Sequence, residues 1–270
     1  MFYETGNQKA RLDLYLEIPA DKILFRKNNK TGKYESSFSF AVTVSNANNE
    51  KIINELYVNS PSYKEDEMKI VSNQPKYFLY NYYFEPGNYK LTVKIKDNIS
   101  GSEYSGSSAV SAKDLQSSGI TFSGLMLLSK FKISDNDTKE ITPLVSKNIF
   151  GLKEFYIFFE IFSGNNDTIT KEYEYKIKDE KDELIKEGQF VYLLNPGNNR
   201  KTEIISVSKE LKKFLPDERD FEFFPSDNLP PDKFKIEITD KSSNEIVAGK
   251  EFLYRPGRIQ REMYERQRMH

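Results

Sequence analysis

The clearest pattern in the chain is a strict alternation of apolar and polar residues within short segments. From Leu12 to Ile18, apolar residues occupy every second position, and Pro19 follows directly. From Phe38 to Val44 the alternation recurs, with small Ser, Ala and Thr residues at the intervening positions. A period of two places successive side chains on opposite faces of a strand. The pattern therefore predicts half-buried β-strands, the second with an outer face of small residues.

A Pro-Gly turn leads into the best-marked strand. The turn Pro86-Gly87-Asn88-Tyr89 runs into Leu91, Val93 and Ile95 and stops at Asp97, and a weaker form recurs near Pro231 and Phe234. A tight turn, an aromatic residue and an alternating strand are typical of the penultimate strand of immunoglobulin-like sandwiches. Two occurrences predict two such domains.

The predicted fold is all-β, with two tandem immunoglobulin-like or fibronectin-like β-sandwich domains. The first covers residues 1–115 and the second residues 120–256, and an Arg-rich tail covers residues 257–270. Weaker strands are predicted at Ile52–Val58 and Met68–Val71, a solvated loop at Lys178–Glu187, and a short helix after Ser208 that ends at Pro216. Predicted strands of the second domain are Leu125–Ile133, Glu154–Phe162, Thr170–Ile177, Phe190–Leu194, Thr202–Val207, Lys233–Asp240 and Glu245–Tyr254.

Charge and hydropathy argue against nucleic acid and a membrane span. Lys and Arg number 40 against 41 Asp and Glu, so the net charge is -1 and no overall positive field would attract nucleic acid. No apolar run approaches the roughly 20 residues that cross a bilayer, and residues 1–6 lack the basic and apolar start of a secretory signal. We therefore expect neither a nucleic-acid partner nor a membrane span.

The residue types that most catalytic sites require are scarce. The single histidine is His270, the last residue, and there is no cysteine. Histidine-based triads, thiol nucleophiles and the common zinc ligand sets are therefore disfavoured. The acidic loops Asp135-Asn136-Asp137 and Asn165-Asn166-Asp167 could supply oxygen ligands to calcium, although hairpin turns favour the same residues. We expect no catalytic residues, no cofactor and no dedicated metal site.

Two aromatic strands are the candidate binding surfaces. From Tyr77 to Phe84 both faces are aromatic, and only one can line a core. The face that does not line the core either packs across strands in solvent or contacts a partner or a sugar. The candidate residues are Tyr77 and Tyr83 on one face and Tyr80 and Tyr82 on the other. From Phe155 to Phe162 both faces are again apolar, so Tyr156, Phe158 and Phe162 either lie beneath the other domain or form an exposed interface.

Three segments carry a resemblance to a known family. They are Arg11–Pro19 followed by Leu24-Phe25, then Phe84-x-Pro86-Gly87-x-Tyr89, and then Phe122-Ser123-Gly124-Leu125-x-Leu127. In this order they resemble the amino-terminal region of bacterial GWxTD domain-containing proteins. The motif that names the family needs a tryptophan, and this chain has none. The resemblance implies β-sandwich modules in a secreted or envelope-associated bacterial protein, and it transfers no catalytic residue.

The sequence thus predicts a non-catalytic, extracytoplasmic bacterial binding or scaffolding protein. Its expected partner is another protein of the cell envelope, and its expected place is the periplasm or the cell surface, after removal of a signal peptide. The alternative is a carbohydrate-recognition or enzyme-accessory module in which exposed tyrosine rings stack on sugars.

Overall fold

The computed structural model describes residues 2–4, 9–112, 119–133, 139–149, 152–164, 168–194, 200–207 and 233–254. Within them nearly all regular structure is β; a single α-helix, α1, covers Glu65–Val71, and a short 3-10 helix covers Ala20–Lys22. No helix in these segments is long and apolar enough to cross a bilayer. The chain divides into two compact units, one over residues 2–114 and one over residues 115–270.

The first unit is a sandwich of two antiparallel sheets. One sheet has the strand order β1-β2-β8 and the other β10-β9-β5-β6, while β3, β4 and β7 form a small third sheet. The strands are β1 Phe2–Glu4, β2 Ala10–Ile18, β3 Arg26–Lys27, β4 Tyr34–Glu35, β5 Phe38–Asn46, β6 Lys51–Asn59, β7 Ser62–Tyr63, β8 Lys76–Phe84, β9 Gly87–Asp97 and β10 Glu103–Ala112.

The second unit is also a sandwich. In one sheet β14 pairs with β11 and β12 on one side and β17 on the other, and β13 pairs with β12; the other sheet has the order β16-β15-β18-β19. The strands are β11 Ile120–Phe122, β12 Met126–Ile133, β13 Lys139–Pro143, β14 Tyr156–Ser163, β15 Ile169–Asp179, β16 Leu184–Leu194, β17 Arg200–Ser206, β18 Lys233–Asp240 and β19 Glu245–Leu253.

The two units share one topology. With β11 and β12 counted as one strand and the short β3, β4, β7 and β13 set aside, the described part of each unit has seven main strands. The first, second and fifth form one sheet, and the other sheet has the order fourth, third, sixth, seventh. This two-sheet arrangement is that of immunoglobulin-like and fibronectin-like sandwiches. The predicted fold class is confirmed.

Alternating strands build both cores. In the first unit Leu12 and Leu14 of β2 pack towards Val42 and Val44 of β5, whose side chains are fully buried. In the second unit the core is formed by alternate residues of β14, β15 and β18, such as Ile157, Ile177 and Ile236. Burying apolar area in this way is the main favourable term in folding.

The Pro-Gly corner forms as predicted. Gly87 begins β9, the penultimate strand, and has a φ of 157°. The Tyr89 hydroxyl donates a hydrogen bond to the Glu85 carbonyl oxygen over 2.8 Å, and its ring stacks on Phe84. The bond closes the corner as the tyrosine of an immunoglobulin-like corner does. In the second unit Phe234 stacks on Phe252 but has no hydroxyl to donate, and Pro231 lies outside the described residues.

Two local predictions are wrong. The predicted strand Met68–Val71 belongs to α1, because the carboxylate of Glu67 accepts a hydrogen bond from the Lys64 backbone at 2.7 Å and three acidic residues occupy the first turn. The predicted loop Lys178–Glu187 is mostly strand, since only residues 180–183 form the turn between β15 and β16. The predicted helix after Ser208 and the tail 257–270 lie outside the described residues.

Candidate binding surfaces

The two faces of β8 differ sharply in burial. The strand alternates between half-buried or buried residues and exposed ones along its whole length. Tyr82 is only 4% exposed, and Tyr80 stacks on Tyr57 with ring centroids 4.1 Å apart. Burial raises the pKa of the Tyr82 hydroxyl, which donates a hydrogen bond to the Tyr57 hydroxyl over 3.3 Å. Tyr80 and Tyr82 therefore belong to the core side and do not form a binding surface.

The opposite face of β8 is open. Tyr77, Leu79 and Tyr83 are 55%, 48% and 49% exposed, and Asn81 lies among them on the same side. The pairing with β2 places Glu17 opposite Tyr77, Tyr15 opposite Leu79, Asp13 opposite Asn81 and Arg11 opposite Tyr83. We call these eight residues the outer β2–β8 face. It brings together two of the four tyrosines that the sequence singles out in this strand.

A polar cluster lies within this face. The carboxylate of Asp13 accepts hydrogen bonds from Nε of Arg11 over 2.6 Å and from Nδ2 of Asn81. The Asp13 side chain is only 4% exposed. Burial raises the pKa of the neighbouring Tyr15, and the charge of Asp13 raises it further. The cluster thus fixes the guanidinium group of Arg11 on the strand next to the exposed ring of Tyr83.

The exposed tyrosines do not form a continuous stack of rings. Tyr77 and Tyr83 are six residues apart on one strand, which corresponds to about 20 Å. Leu79 lies between them on the same face. The surface therefore offers two separated aromatic contacts joined by an aliphatic one.

The second predicted surface is not exposed. Phe158 is 7% exposed and Phe162 is fully buried, although both lie on the face of β14 opposite the core of the second unit. Met126 and Leu128 are buried on the same face, as their pairing with Phe158 and Tyr156 shows. Of the two alternatives that the sequence leaves open, the exposed interface at Phe158 and Phe162 is therefore wrong, because both side chains are buried.

Tyr156 is half-buried at the edge of that face. Its ring contacts Phe131 edge-on at 5.8 Å. A hydrogen bond with Glu154, together with burial, raises the pKa of its hydroxyl to about 12. Tyr156 therefore packs and bonds within the unit and leaves little of its ring for a partner.

An ion pair between a buried carboxylate and a half-exposed arginine lies on the covered face. The carboxylate of Glu160, in the middle of β14, accepts hydrogen bonds from Nε of Arg200 over 2.8 Å and from the terminal guanidinium nitrogen. The guanidinium group also lies 6.0 Å from the centroid of the Phe162 ring. A buried carboxylate needs such a partner because desolvation penalises its charge. The pair explains how a charged residue fits into an otherwise apolar strand.

Sequence reasoning missed the apolar residues on two equivalent edge strands. β6 and β16 are the fourth main strand of their units and lie at a sheet edge. Each exposes three large apolar side chains; these are Ile52, Leu56 and Val58 on β6, and Leu184, Val191 and Leu193 on β16. The sequence does contain this information. In a strand the apolar residues at 52, 56 and 58 lie on one face, and Ile53 and Tyr57 lie on the other.

A shallow groove borders one of these strands. Its volume is about 310 Å³, and it lies on the outer face of the β10-β9-β5-β6 sheet. Ser39 and Ala41 form its floor because their side chains are short, and Leu56 and Lys94 flank it. The small-residue outer face of β5 predicted from the sequence is thus the floor of a groove.

Within the described segments no three metal-ligating side chains cluster. The calcium candidates at residues 135–137 and 165–167 lie outside those segments. Asp97, Asp179 and Asp240 are buried, and each accepts hydrogen bonds from backbone N–H groups of its own turn. These three carboxylates therefore stabilise the turns of hairpins.

No family model and no curated protein matches the chain. Among solved structures it is similar to a glycosyl hydrolase family 2 member from Bacteroides cellulosilyticus, with a TM-score of 0.33, 10% identity and coverage of 91% of this chain and 28% of that one. It is also similar to a calcium-binding mutant of Bacteroides uniformis β-glucuronidase 2, with a TM-score of 0.29, 11% identity and coverage of 90% of this chain and 26% of that one. The similarity to red sea bream transglutaminase has a TM-score of 0.26 and 6% identity, and it covers 92% of this chain and 29% of that one.

The chain thus spans less than a third of the length of each of these structures. At such low similarity the matches carry no argument about what the chain binds. The strand topology described above establishes the fold.

Proposed function

We propose that this protein is a non-catalytic binding or scaffolding module that contacts another protein through the outer β2–β8 face. The observation that carries the proposal is the exposure of Tyr77, Leu79 and Tyr83 along one strand, with the guanidinium group of Arg11, held by Asp13, opposite Tyr83. Tyr and Arg are the residue types that most often dominate the energy of protein interfaces. Leu79 adds aliphatic area between the two rings.

The rigidity of this face supports the proposal. Nine residue pairs join β2 to β8, and the inner sides of both strands are anchored in the core by Leu12, Leu14 and Tyr82. A surface built on such a scaffold loses little conformational entropy on binding. The proposed place of action, outside the bacterial cytoplasm, rests on the resemblance of Arg11–Pro19 and the following segments to GWxTD domain-containing proteins.

The experiment is capture of a partner from the native cell envelope by photo-crosslinking, compared between variants. We expect Tyr77→Ala/Tyr83→Ala to lose the cross-linked species that the unchanged protein forms. Leu193→Ala is the matched control, because Leu193 is an equally exposed apolar residue of the second unit, and it should retain the species. Equal capture by all three proteins, or no capture at all, would contradict the proposal.

A second candidate is a carbohydrate-recognition or enzyme-accessory module. One observation favours it: two exposed tyrosine rings share a sheet face with hydrogen-bonding groups of Arg11, Asp13 and Asn81. Rings and polar groups together suit the apolar and hydroxyl faces of a sugar. A glycan array in which Tyr83→Ala removes a hit would favour this candidate, and an array without hits would count against it.

A further inference from the structure

The edges of the two four-stranded sheets are not equally protected. The edge strands are β6 and β10 in the first unit and β16 and β19 in the second. An edge strand presents N–H and C=O groups that a strand of another molecule can pair with. Proteins often prevent this pairing with a charged side chain that points inwards from the edge.

Three of the four edges carry such a charge. Glu55 of β6 lies opposite the fully buried Val42 and therefore on the core-facing side of its strand. In the second unit Lys186 of β16 and Lys250 of β19 lie in one row on either side of two core isoleucines; the order across the sheet is Lys186, Ile177, Ile236, Lys250. An incoming strand would have to bury each of these charges.

The fourth edge, β10, lacks this protection. Between Tyr104 and Ala112 the strand contains only Ser, Gly, Ala and one Val, with neither a charge nor a proline. Residues 103–109 are all exposed, and among the described strands β10 pairs with β9 alone. A side-chain carbon placed on Gly106 would meet no atom within 4 Å. The core-facing side of the sheet thus has room for a side chain at Gly106, and the exposure of residues 103–109 leaves the edge accessible to a partner strand.

The pairing of β9 with β10 determines which backbone groups face outwards. The Asp97 N–H donates to the Ser102 carbonyl over 2.9 Å, so Ser102 and every second residue after it bond to β9. The N–H and C=O groups of Glu103, Ser105, Ser107 and Ala109 consequently point away from the sheet. They form a regular row of donors and acceptors.

We propose that β10 pairs antiparallel with β10 of a second copy of this chain, centred on Gly106, to form a symmetric dimer. In this register Glu103 lies opposite the partner's Ala109, whose neighbour across the sheet is the partner's Lys90. The Glu103 carboxylate lies 3.2 Å from the ammonium group of Lys96 in its own sheet, and Ala109 is short enough for the partner's Lys90 to join this ion pair above it. The two-fold axis makes this complementary contact twice.

The same register covers an exposed ring. Tyr104 is 56% exposed and lies on the core-facing side, opposite Ile95. Across the proposed interface it lies opposite the partner's Ser108, next to the partner's Leu91, which belongs to the core. The ring would thus extend the apolar core of the second copy. Charge on one face and apolar contact on the other both favour β10 itself as the occupant.

A single introduced cysteine tests this register, because the chain has no cysteine of its own. At the centre of the dimer the two copies of residue 106 form a non-hydrogen-bonded pair with Cα atoms about 4.5 Å apart, which suits a disulfide. Gly106→Cys should therefore form a disulfide-linked dimer under mild oxidation. Ser108→Cys is the matched control on the same face, and it should stay monomeric because its counterpart lies about 13 Å away along the strand.

Sedimentation velocity tests the edge itself. The unchanged protein should show a concentration-dependent dimer, which Ser105→Pro abolishes by removing an outward N–H and Ser105→Ala retains. Lys90→Glu should weaken the dimer about tenfold, and Lys90→Glu/Glu103→Lys should restore it.

A monomer at every concentration, no cross-link through Gly106→Cys, or equal cross-linking through Ser108→Cys would overturn the proposal. β10 and the outer β2–β8 face belong to different sheets of the first unit. If the dimer proposal fails, the proposed function is therefore unaffected, and the dimer proposal is likewise unaffected if the proposed function fails.

Discussion

Asn46 in the first unit and Asp179 in the second close equivalent hairpins in the same way. Oδ1 of Asn46 accepts hydrogen bonds from the N–H groups two and four residues later, both over 3.0 Å. Oδ1 of Asp179 does the same over 2.8 and 2.9 Å. The third residue after each has a positive φ, 63° at Asn49 and 64° at Asp182. Both hairpins join the third and fourth main strands of their units.

A second pair of turns repeats the relationship between the last two strands. Oδ1 of Asp97 accepts from the Ile99 N–H over 2.8 Å, and Oδ1 of Asp240 accepts from the Ser242 N–H over 2.8 Å. In both turns the N–H of a residue with positive φ, Gly101 or Asn244, donates to the aspartate carbonyl. The shared topology thus extends to the chemistry of individual loops.

The first prediction concerns Asp179 and uses the equivalent Asn46 as its reference. Asp179→Ala removes the acceptor for two backbone N–H groups, and we expect a loss of about 2 kcal/mol in the free energy of unfolding of the second unit. Asp179→Asn should cost less than about 1 kcal/mol, because an asparagine performs this role at position 46. Urea unfolding followed by circular dichroism measures both. Equal losses in the two variants would show that the turn depends on the charge and not on the acceptor.

The second prediction concerns the corner of the first unit. Tyr89→Phe keeps the ring that stacks on Phe84 and removes only the hydrogen bond to the Glu85 carbonyl. We expect a loss of about 1 kcal/mol in the free energy of unfolding of this unit. Hydrogen exchange should show faster opening at residues 85–89. An unchanged exchange rate there would mean that the hydroxyl contributes nothing to the corner.

Sequence periodicity predicted strands well where only one face is apolar, as in β2, β5 and β9. It did not decide between the two aromatic faces of β8, because both satisfy the same period. The pairing with β2 settles the matter: Tyr80 and Tyr82 lie opposite Leu14 and Leu12 and so share their inward face. Register is a long-range property, and no local pattern within β8 contains it.

The second strand with two apolar faces is β14. The sequence left open whether Phe158 and Phe162 are covered or exposed, because both faces satisfy the same period, and the structure buries both side chains. The helix α1 was missed for a different reason. Its seven residues are too few for a helical period to stand out, and the acidic first turn was the better signal.

The third prediction uses the inward lysine of β19. Burial, with a contribution from the charge of Lys147, lowers the pKa of Lys250 from 10.5 to about 8. Between these two pH values the unfolded chain binds a proton that the folded chain lacks, so the free energy of unfolding rises with pH across this window. Below pH 8 the full cost of the buried charge is present.

Lys250→Met removes that cost. We expect it to raise the free energy of unfolding at pH 7 by about 1 to 3 kcal/mol and to abolish the extra rise between pH 8 and 10.5. Guanidinium unfolding at several pH values measures this effect. The difference in the free energy of unfolding between the variant and the unchanged protein separates the titration of Lys250 from that of the tyrosines. Parallel curves for the two proteins would refute the assignment. The variant also loses an edge charge and should self-associate more readily.

The fourth prediction concerns the ion pair on the covered face of β14. Arg200→Met leaves the carboxylate of Glu160 buried without the guanidinium group, and we expect a loss of about 3 kcal/mol in the free energy of unfolding. Glu160→Leu/Arg200→Met replaces the pair by apolar side chains and should recover most of that loss. Thermal unfolding of both variants provides the comparison. If the double variant is as unstable as the single one, the pair specifies the packing of this face.

Hydroxyl-radical footprinting of the outer β2–β8 face, with and without a partner captured from the cell envelope, tests the central claim most directly. The account predicts that Tyr77, Leu79 and Tyr83 are modified readily in the free protein and are protected in the complex. Tyr82, on the buried face of the same strand, should react slowly in both states. Protection confined to other surfaces, with Tyr77 and Tyr83 equally reactive in both states, would contradict the claim that this face is where the protein binds.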